Sequence, residues 1–535
     1  MAPQRLSTDT PFEPDAAQFA RLYDDGRSQV VWTRLVADLE TPVSAYLKLT
    51  RAGGEEAPPD ATGRPMSFLL ESVEGGASRG RYSVIGLEPD LIWRAHGDVA
   101  AVNRQPGTRR GAFKTVAGGT LAALRALLAE SRIDLPDNLP PMAAGVFGYM
   151  GYDTVRLIER LPNQRPDALG VPDGILIRPT VMVIFDTVKD EMVLVSPVYP
   201  AAKIDAAKAY ARAIKRLRDA VAKLEAPLAH AADAGTKTLV MPEPRSNTPP
   251  AEYMAMVRKA KEYIAAGDVF QVVPSQRFSA PFTLPPFSLY RALRRLNPSP
   301  FLFHLDLVDF AIVGSSPEIL VRVRDGEVTI RPLAGSRPRG RTPDEDKALG
   351  VELLADPKER AEHLMLVDLG RNDVGRVAKI GTVKVPQQFV LERYSHIMHI
   401  SSHVTGELDA KYDAIDALMA GFPAGTLSGA PKVRAMEIID ELEKDKRGPY
   451  AGCVGYFSAN GELDTCIVIR TAVVKDGVMH VQTGAGVVAD SVPENEQQEC
   501  IDKAKALVRA AQEAVRFASR GVAPGAASGN GGEFA

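Results

Sequence analysis

Two patterns of hydrophobic and polar residues run along this chain, and the first predicts β-strands. Short runs rich in β-branched and aromatic residues, bounded by Gly, Pro and Asp, are typical of β-structure. The pair of runs joined by Asp325-Gly326 carries a strong hairpin signal. The predicted strands cover residues 43–49, 67–71, 82–87, 143–149, 174–185, 192–195, 269–274, 301–307, 310–313, 319–324, 327–331, 453–458, 465–474 and 478–482.

The second pattern, in which hydrophobic residues recur about every 3.6 positions, predicts helices. One is entered through Asp356-Pro357, an N-cap followed by a first-turn proline, and another ends at Gly267. The predicted helices cover residues 15–23, 121–128, 201–224, 251–266, 359–369, 413–420, 433–442 and 494–517. They do not alternate regularly with the strands, so the pattern predicts an α+β fold in which large antiparallel sheets pack together and are flanked by helices.

The chain divides at a segment rich in Pro and small polar residues. This segment, 225–249, is the predicted linker between an N-terminal region, 29–224, and a C-terminal region, 250–519. Residues 1–28 are predicted to form an N-terminal extension, and the low-complexity residues 520–535 a disordered tail.

Composition narrows the functional class. The chain is 45% hydrophobic and 24% charged, with a formal net charge of −3, which does not favour nucleic acid as a partner. No apolar run reaches membrane-spanning length, and the first residues lack the build of a signal peptide. The three cysteines form no CxxC pair, which predicts a reduced cytoplasmic protein.

The stretch 425–499 carries most of the candidate chemistry. It reads GTLSGAPKVRAMEIIDELE, then RGPYAGCVGYFSANGELDTCIVIRTAVV, then VQTGAGVVADSVPENEQQE. Together the Gly-rich turns, one arginine and a cluster of acids can hold a small polar ligand. GTLSGAPK does not meet the GxxxxGK[ST] spacing of a phosphate loop, so nucleotide binding is not predicted.

These segments resemble the chorismate-utilising enzymes, and within them the large subunits of anthranilate synthase. The resemblance covers roughly residues 40–515 and is densest from 330 to 505. It implies the fold of that family and a Mg²⁺-dependent lyase that converts chorismate and ammonia to anthranilate and pyruvate, the first step of tryptophan biosynthesis.

The resemblance implies four residues for the chemistry. Glu318, in GSSPE, matches the general acid that protonates the departing C4 hydroxyl, which is otherwise a poor leaving group. His399, in HIMHISSH, matches a histidine near the reacting ring. Gln271 and Thr426 match further positions that line the site.

It also implies positions that hold the substrate. An arginine offers a planar fork that matches a carboxylate, and glycines let backbone N–H groups approach closely. The positions carried over are Gly335, Ser336, Tyr450, Arg470, Gly484, Ala485 and Gly486.

Three acids are implied as Mg²⁺ ligands. Glu496 and Glu499 share a helix face, and Glu362 lies on another helix. Hard oxygen ligands of this kind suit Mg²⁺. From the sequence alone, acids near a helix start are more simply explained by the helix dipole, and the resemblance favours the metal.

A tryptophan-sensing site is implied by two further segments, FLLESVEGG and NPSPFLFHL. The family usually has Tyr and then Met after NPSP, where this chain has Phe301 and Leu302. The effector positions are Leu70, Glu71, Ser72, Asn297, Pro298, Ser299, Pro300 and Phe301. Because part of this set precedes the linker, the N-terminal region is predicted to carry much of the site.

Two positions bear on which reaction of the family is catalysed. Gln271 stands where water-adding relatives have a lysine base, and ammonia needs no such base. Ala334 stands where many aminodeoxychorismate synthases have a lysine. Both absences favour anthranilate synthesis, while an aminodeoxychorismate synthase component I and a catalytically silent tryptophan-binding regulator remain alternatives.

The source of ammonia is predicted to be a second chain. A glutamine amidotransferase needs a nucleophilic cysteine on a GxCxG elbow, and in AGCVGYF Ala451 occupies the first glycine position. A separate amidotransferase subunit (component II) is therefore expected, in a hetero-oligomer that takes chorismate and ammonia as substrates and L-tryptophan as inhibitor.

Overall fold

The computed structural model describes residues 11–50, 66–74, 78–109, 111–228, 241–394 and 397–520. Parts of the predicted extension 1–28 and linker 225–249, and all but the first residue of the predicted tail 520–535, lie outside them. The helices are α1 Ala16–Asp24, α2 Pro42–Thr50, α3 Thr120–Glu130, α4 Ala206–Glu225, α5 Pro250–Ala265, α6 Pro286–Leu296, α7 Pro343–Ala355, α8 Pro357–Gly375, α9 Ala414–Gly421, α10 Gly425–Ser428, α11 Lys432–Leu442 and α12 Pro493–Arg520.

Strands make up the centre of the molecule. They are β1 Gln29–Val36, β2 Ser67–Glu74, β3 Ser78–His96, β4 Val99–Asn103, β5 Lys114–Val116, β6 Gly145–Met150, β7 Gly174–Asp186, β8 Glu191–Val198, β9 Arg245–Ser246, β10 Gln271–Val272, β11 Ser275–Pro281, β12 Phe301–Asp306, β13 Phe310–Ser316, β14 Ile319–Arg324, β15 Glu327–Ile330, β16 Leu333–Pro338, β17 Lys384–Arg393, β18 Ile397–Glu407, β19 Gly429–Ala430, β20 Cys453–Ser458, β21 Leu463–Ile467, β22 Thr471–Lys475 and β23 Val478–Gly484. Every pairing between them is antiparallel in the described part of the chain.

The strands form two layers that share β3 and β7. The first layer has the order β1-β8-β7-β3-β2-β12-β13-β22-β23-β11-β9. The second has the order β5-β4-β3-β7-β6-β20-β21-β14-β15-β18, with β16 and β17 also paired to β18. The long strands β3 and β7 pass from one layer into the other at a register shift between Pro89 and Leu91.

Apolar side chains from both layers meet in a shared core that includes Phe68, Phe147 and Phe303. Helices α1, α2, α4, α5, α6 and α12 bury a second core on the outside of the first layer. Helices α3, α8 and α9 bury a third on the outside of the second layer. The predicted arrangement of packed antiparallel sheets flanked by helices is confirmed. No helix in the described ranges has the length and apolar character needed to cross a bilayer.

Strands from both sides of the predicted linker pair within each layer. β2 pairs with β12 in the first layer, and β6 pairs with β20 in the second. Each layer therefore contains strands from both halves of the chain. The division at 225–249 stays a prediction about the sequence.

Local sequence signals correctly predicted two features, the β14–β15 hairpin and the start of α8. Asp325 and Gly326 both have positive φ, 50° and 75°, and close the β14–β15 hairpin as predicted. The carboxylate of Asp356 accepts hydrogen bonds from the Lys358 and Glu359 amides, which begins α8 as predicted.

Two predicted strands are wrong. Residues 43–49 form part of α2, because Thr41 and Ser44 exchange side-chain hydrogen bonds with each other's amides around Pro42 at the helix start. Residues 465–474 do not form one strand, because the chain leaves the second layer after β21, turns at Arg470 and enters the first layer as β22.

Candidate active site

Glu318 lies where the chain passes from one layer to the other. β13, which precedes it, belongs to the first layer, and β14, which follows it, belongs to the second. The residue is 6% exposed, and the Thr426 hydroxyl donates a hydrogen bond to its Oε1 at 3.1 Å. Burial raises the pKa of Glu318 to about 8. The carboxyl is therefore largely protonated at neutral pH and can act as an acid.

Arg470 occupies the matching crossing, between β21 and β22. Its φ of 49° lies in the left-handed region that non-glycine residues rarely adopt. The two crossings are hydrogen-bonded to each other, since the Ser315 amide donates to the Arg470 carbonyl at 3.2 Å and the Ile467 amide to the Glu318 carbonyl at 3.0 Å. Arg470 and Glu318 are thus held near each other by backbone contacts.

The guanidinium of Arg470 has no carboxylate partner among the described residues. Burial lowers its pKa, while the nearby Tyr394 and Glu318 raise it. A partly buried cation without a counter-ion is costly, and a bound anion would offset that cost. The arrangement fits a ligand carboxylate.

His399 faces the same region from β18. Its Nδ1 lies 3.2 Å from the carbonyl oxygen of Gly335, and because a carbonyl only accepts, Nδ1 carries the hydrogen. Its Nε2 is buried without a partner in the described residues. Burial, with the charge of Arg470, lowers the pKa of His399 to about 4. The imidazole is therefore neutral, and its Nε2 is available to accept a hydrogen bond.

A β-bulge in β16 sets that contact. Gly335 has a φ of 76°, and the register of β16 on β18 shifts between Ala334 and Ser336. Ser336 lies opposite His399 in this register and is exposed. The bulge explains why glycine stands at position 335.

The loop after β23 forms a second wall with Tyr450. A Cβ added to Gly484 would lie 3.0 Å from the Tyr450 hydroxyl, so this close approach needs glycine. Ala485 is fully buried. Lys503 on α12 donates to the Gly484 carbonyl at 2.8 Å and fixes the loop from the other side.

The buried ion pair of Arg447 and Glu443 packs next to Tyr450. Arg447 bonds both carboxylate oxygens of Glu443 and lies 5.5 Å from the centre of the Tyr450 ring. Glu443 also accepts from the Ser275 amide and hydroxyl, each at 2.8 Å. This network anchors the start of β11 beneath the candidate site.

Gln271 connects this loop to the predicted metal ligands. Its Nε2 donates to Glu362 at 3.3 Å, and its Oε1 is buried without a partner in the described residues. A Cβ added to Gly486 would lie 2.6 Å from the same Nε2. Position 486 therefore needs glycine, because a larger residue would displace the Gln271 amide.

The three acids predicted to bind Mg²⁺ influence one another. Burial raises the pKa of Glu362, and the charges of Glu359 and Glu499 raise it further. Burial and Glu499 likewise raise the pKa of Glu496, although Ser491 lowers it. Glu499 pairs with Lys503 at 2.7 Å. Clustered carboxylates of this kind fit a hard divalent cation in their chemistry. As they stand, no three His, Cys, Asp or Glu side chains in the described ranges form a metal-binding group.

A separate cavity of about 740 Å³ opens between the layers. Five of the predicted effector residues line it, namely Leu70, Glu71, Ser72, Pro300 and Phe301. The carboxylate of Glu71 is bonded by Arg294 and Tyr290. Asn297 accepts a hydrogen bond from the Ser315 hydroxyl, and Ser299 is buried. The cavity wall also includes Ile319, the residue after Glu318.

Comparison with known proteins identifies the family. Residues 88–509 match the sequence profile of the family described as chorismate binding enzyme. The chain belongs to the chorismate binding enzyme family. It is 56% identical over 502 residues to anthranilate synthase component 1 of Cereibacter sphaeroides, across 94% of this chain and 98% of that protein. It is 46% identical over 487 residues to the protein of the same name from Aquifex aeolicus, across 90% and 94%.

Solved structures agree on the fold. The crystal structure of anthranilate synthase component I from Streptococcus pneumoniae TIGR4 is similar with a TM-score of 0.71 at 35% identity, covering 89% of this chain and 99% of that one. The menaquinone-specific isochorismate synthase MenF from Escherichia coli matches with a TM-score of 0.65 across 93% and 100%, and its 19% identity supports the fold alone. The predicted α+β fold of the chorismate-utilising enzymes is confirmed.

A charged cluster that was not predicted from the sequence lies between the site and the cavity of about 740 Å³. Arg331 bonds Glu392, and the Tyr394 hydroxyl donates to Glu392 at 2.6 Å. The Tyr394 ring lies 5.9 Å from the His399 ring, edge to face. The only sequence signal was position, since Glu392 and Tyr394 closely precede His399. Lys503, which holds the Gly484 loop, was also missed.

Proposed function

We propose that this chain is the large, synthase subunit of an anthranilate synthase. It converts chorismate and ammonia to anthranilate and pyruvate, the first step of tryptophan biosynthesis, as a lyase of the cytoplasm. The names of its relatives support the activity. The observation that carries the proposal at the site is the partly buried Arg470 guanidinium without a carboxylate partner in the described residues, close to a buried carboxyl that is protonated at neutral pH. Chorismate is a dicarboxylate with a hydroxyl that must be protonated to leave.

Glu318 supplies the proton in this proposal. Its pKa of about 8 keeps the acid form available, and the Thr426 hydrogen bond fixes its orientation. Arg470, Tyr450 and the backbone of 484–486 hold the carboxylates. Neutral His399 accepts a hydrogen bond from the ring substituents through Nε2.

Ammonia enters beside Gln271. A lysine at this position would activate water, whereas the neutral amide can only orient a nucleophile that is already reactive. The amide is held by Glu362, and it occupies space that any side chain at position 486 would fill. These contacts support ammonia, rather than water, as the nucleophile at C2.

We further propose that Glu362, Glu496 and Glu499 hold Mg²⁺. The raised pKa values of Glu362 and Glu496 reflect burial and the negative charge of Glu499, which a cation would offset. When bound, the ion would balance the charge of a substrate carboxylate. Glu499 would then exchange Lys503 for the ion.

Partner and effector complete the proposal. Ammonia comes from glutamine through a separate amidotransferase subunit, component II, in a hetero-oligomer. L-Tryptophan binds in the cavity of about 740 Å³ lined by Ser72 and Phe301 and inhibits turnover. Its apolar walls and its arginines suit an amphiphilic amino acid.

One incubation tests the reaction. The purified chain is mixed with chorismate, Mg²⁺ and excess ammonium at alkaline pH, with and without tryptophan, and the product is identified. Fluorescent anthranilate, suppressed by tryptophan, is expected. Aminodeoxychorismate or isochorismate as the product would contradict the proposal. Glu318→Gln serves as the inactive variant and Glu327→Gln, an exposed carboxylate on β15, as its matched control.

If the chain alone does not turn over, the assay is repeated with a component II subunit and glutamine. Activity that appears only then supports the hetero-oligomer. If tryptophan binds and neither nitrogen source yields a product, the chain is a regulator and not an enzyme.

A further inference from the structure

A small cavity of about 30 Å³ adjoins Glu318 on the side of α8. Glu318, Thr426 and Asp373 line it, with apolar side chains of α8 and β14 around them, among them Leu366 and Leu369. A buried water needs about 10–15 Å³ and two to four polar partners. The cavity offers room for one water between two carboxyl groups and a hydroxyl.

Asp373 connects the cavity to Lys432 on α11. It is 4% exposed, and its Oδ2 accepts from Lys432 Nζ at 2.9 Å. The Lys432 side chain is 11% exposed and also donates to the Gly421 carbonyl at 3.4 Å. Burial raises the pKa of Asp373 and Lys432 lowers it. An ionisable pair therefore leads from the cavity to Lys432, whose side chain has limited access to solvent at the start of α11.

We propose that Asp373 and Lys432 return a proton to Glu318 through one water in this cavity. The inference rests on the proposed function, in which the C4–O bond breaks as Glu318 gives its proton to the departing hydroxyl, which leaves as water. The Lys432 ammonium gives a proton to the Asp373 carboxylate, and Asp373 passes it to the cavity water. The water gives a proton to the Glu318 carboxylate, and the neutral Lys432 amine takes one from solvent. Both residues act on the reaction only through Glu318.

A different route would make this path unnecessary. The complete reaction consumes and releases no net proton, so a proton lost from the substrate ring could return to Glu318 directly. The two routes differ after the first turnover. If the cavity supplies the proton, damage to the path leaves the first turnover intact, because Glu318 starts in its acid form.

The test compares single-turnover and steady-state rates of anthranilate formation by Asp373→Asn. Asp440→Asn is the matched control, because Asp440 is also 4% exposed and bonded by Arg156, yet lies on α11 away from the cavity. For Asp373→Asn we expect a burst of one product per site at the wild-type rate, followed by steady turnover about tenfold slower. For the control we expect no burst. Equal first and later rates in Asp373→Asn would overturn the proposal.

Lys432→Gln provides a second variant that keeps Asp373. Lys432→Gln should show the same burst of anthranilate if the proton comes from solvent through the Lys432 ammonium. If this variant shows no burst, Lys432 is not part of the path. If Asp373→Asn does not fold, the burst measurement on Lys432→Gln alone tests the proposed path.

An infrared measurement separates this proposal from the identity of the reaction. The acid C=O band of Glu318, assigned by its loss in Glu318→Gln, is followed after transfer of the resting protein to D₂O. Asp373→Asn should slow hydrogen–deuterium exchange of that band about tenfold or more, while Asp440→Asn should not. Unchanged exchange would refute the path even if anthranilate is made, and slowed exchange would support it even if the product is different.

Discussion

Replacing Glu318 by glutamine should remove activity and stabilise the protein. The buried carboxyl has a pKa of about 8, against an ordinary value of 4.5. Between these two values the unfolded chain has lost the proton and the folded chain has kept it. Folding must then take up a proton, so the contribution of Glu318 to stability declines as pH rises from 4.5 to 8. Glutamine has the same shape and no such proton.

The magnitude follows from the same two pKa values. Linkage gives a cost in folding free energy of about 1 kcal/mol at pH 5 and about 3 kcal/mol at pH 7, rising slowly above pH 8. Glutamine can still accept the Thr426 hydrogen bond, so little is lost in exchange. The stability advantage of Glu318→Gln should therefore grow by about 2 kcal/mol between pH 5 and pH 7.

Urea unfolding of wild type, Glu318→Gln and Glu327→Gln at several pH values measures this difference. The control removes an exposed carboxylate and should follow wild type at every pH. A stability difference that stays constant from pH 5 to pH 8 would show that Glu318 titrates normally. Glu318 would then be ionised at neutral pH and could not be the acid, whatever the effect of the variant on turnover.

Four further outcomes are expected. With free ammonia held constant, kcat should fall as pH rises through about 8, because Glu318 loses the proton it must donate; a flat profile would exclude it as the acid. Arg470→Lys should raise the KM for chorismate about tenfold or more, because an ammonium cannot form two parallel hydrogen bonds with a carboxylate. An unchanged KM in steady-state kinetics would show that Arg470 does not bind a substrate carboxylate. Gly486→Ala should raise the KM for ammonia, because its Cβ would displace the Gln271 amide 2.6 Å away, while the KM for chorismate changes less. Ser72→Phe should weaken tryptophan inhibition at an unchanged uninhibited rate, and inhibition equal to wild type would place the effector elsewhere.

Elements set by local chemistry were predictable from the sequence. The β14–β15 hairpin needs positive φ at two successive residues, which Asp-Gly provides. The start of α8 needs a capping carboxylate, and Asp356 provides it. Residues 43–49 have the composition of a strand, but the capping pair Thr41 and Ser44 beside Pro42 begins a helix there.

Features that depend on tertiary pairing were not predictable in the same way. β11 was missed because its polar residues are not typical of a buried strand. Gln276 is nevertheless 1% exposed, since its amide bonds Gln497, and Arg277 is paired with Asp445. At the site, family motifs located residues from several distant segments. They gave no indication that Asp373 shares a cavity with Glu318, because that cavity forms only once α8 packs on the second layer.

The two crossings between layers explain why the candidate site lies where it does. A residue inside a strand has its backbone committed to neighbours on both sides, and its side chain points to a fixed face. Glu318 and Arg470 lie outside the strands, at points where the chain leaves one layer for the other, and their backbones are bonded to the opposite crossing. Both can therefore present polar side chains to the space between the layers. The same geometry places Ile319 in the wall of the large cavity. Ile319 is joined to Glu318 by a single peptide bond, so the wall of that cavity and the acid are adjacent in the chain.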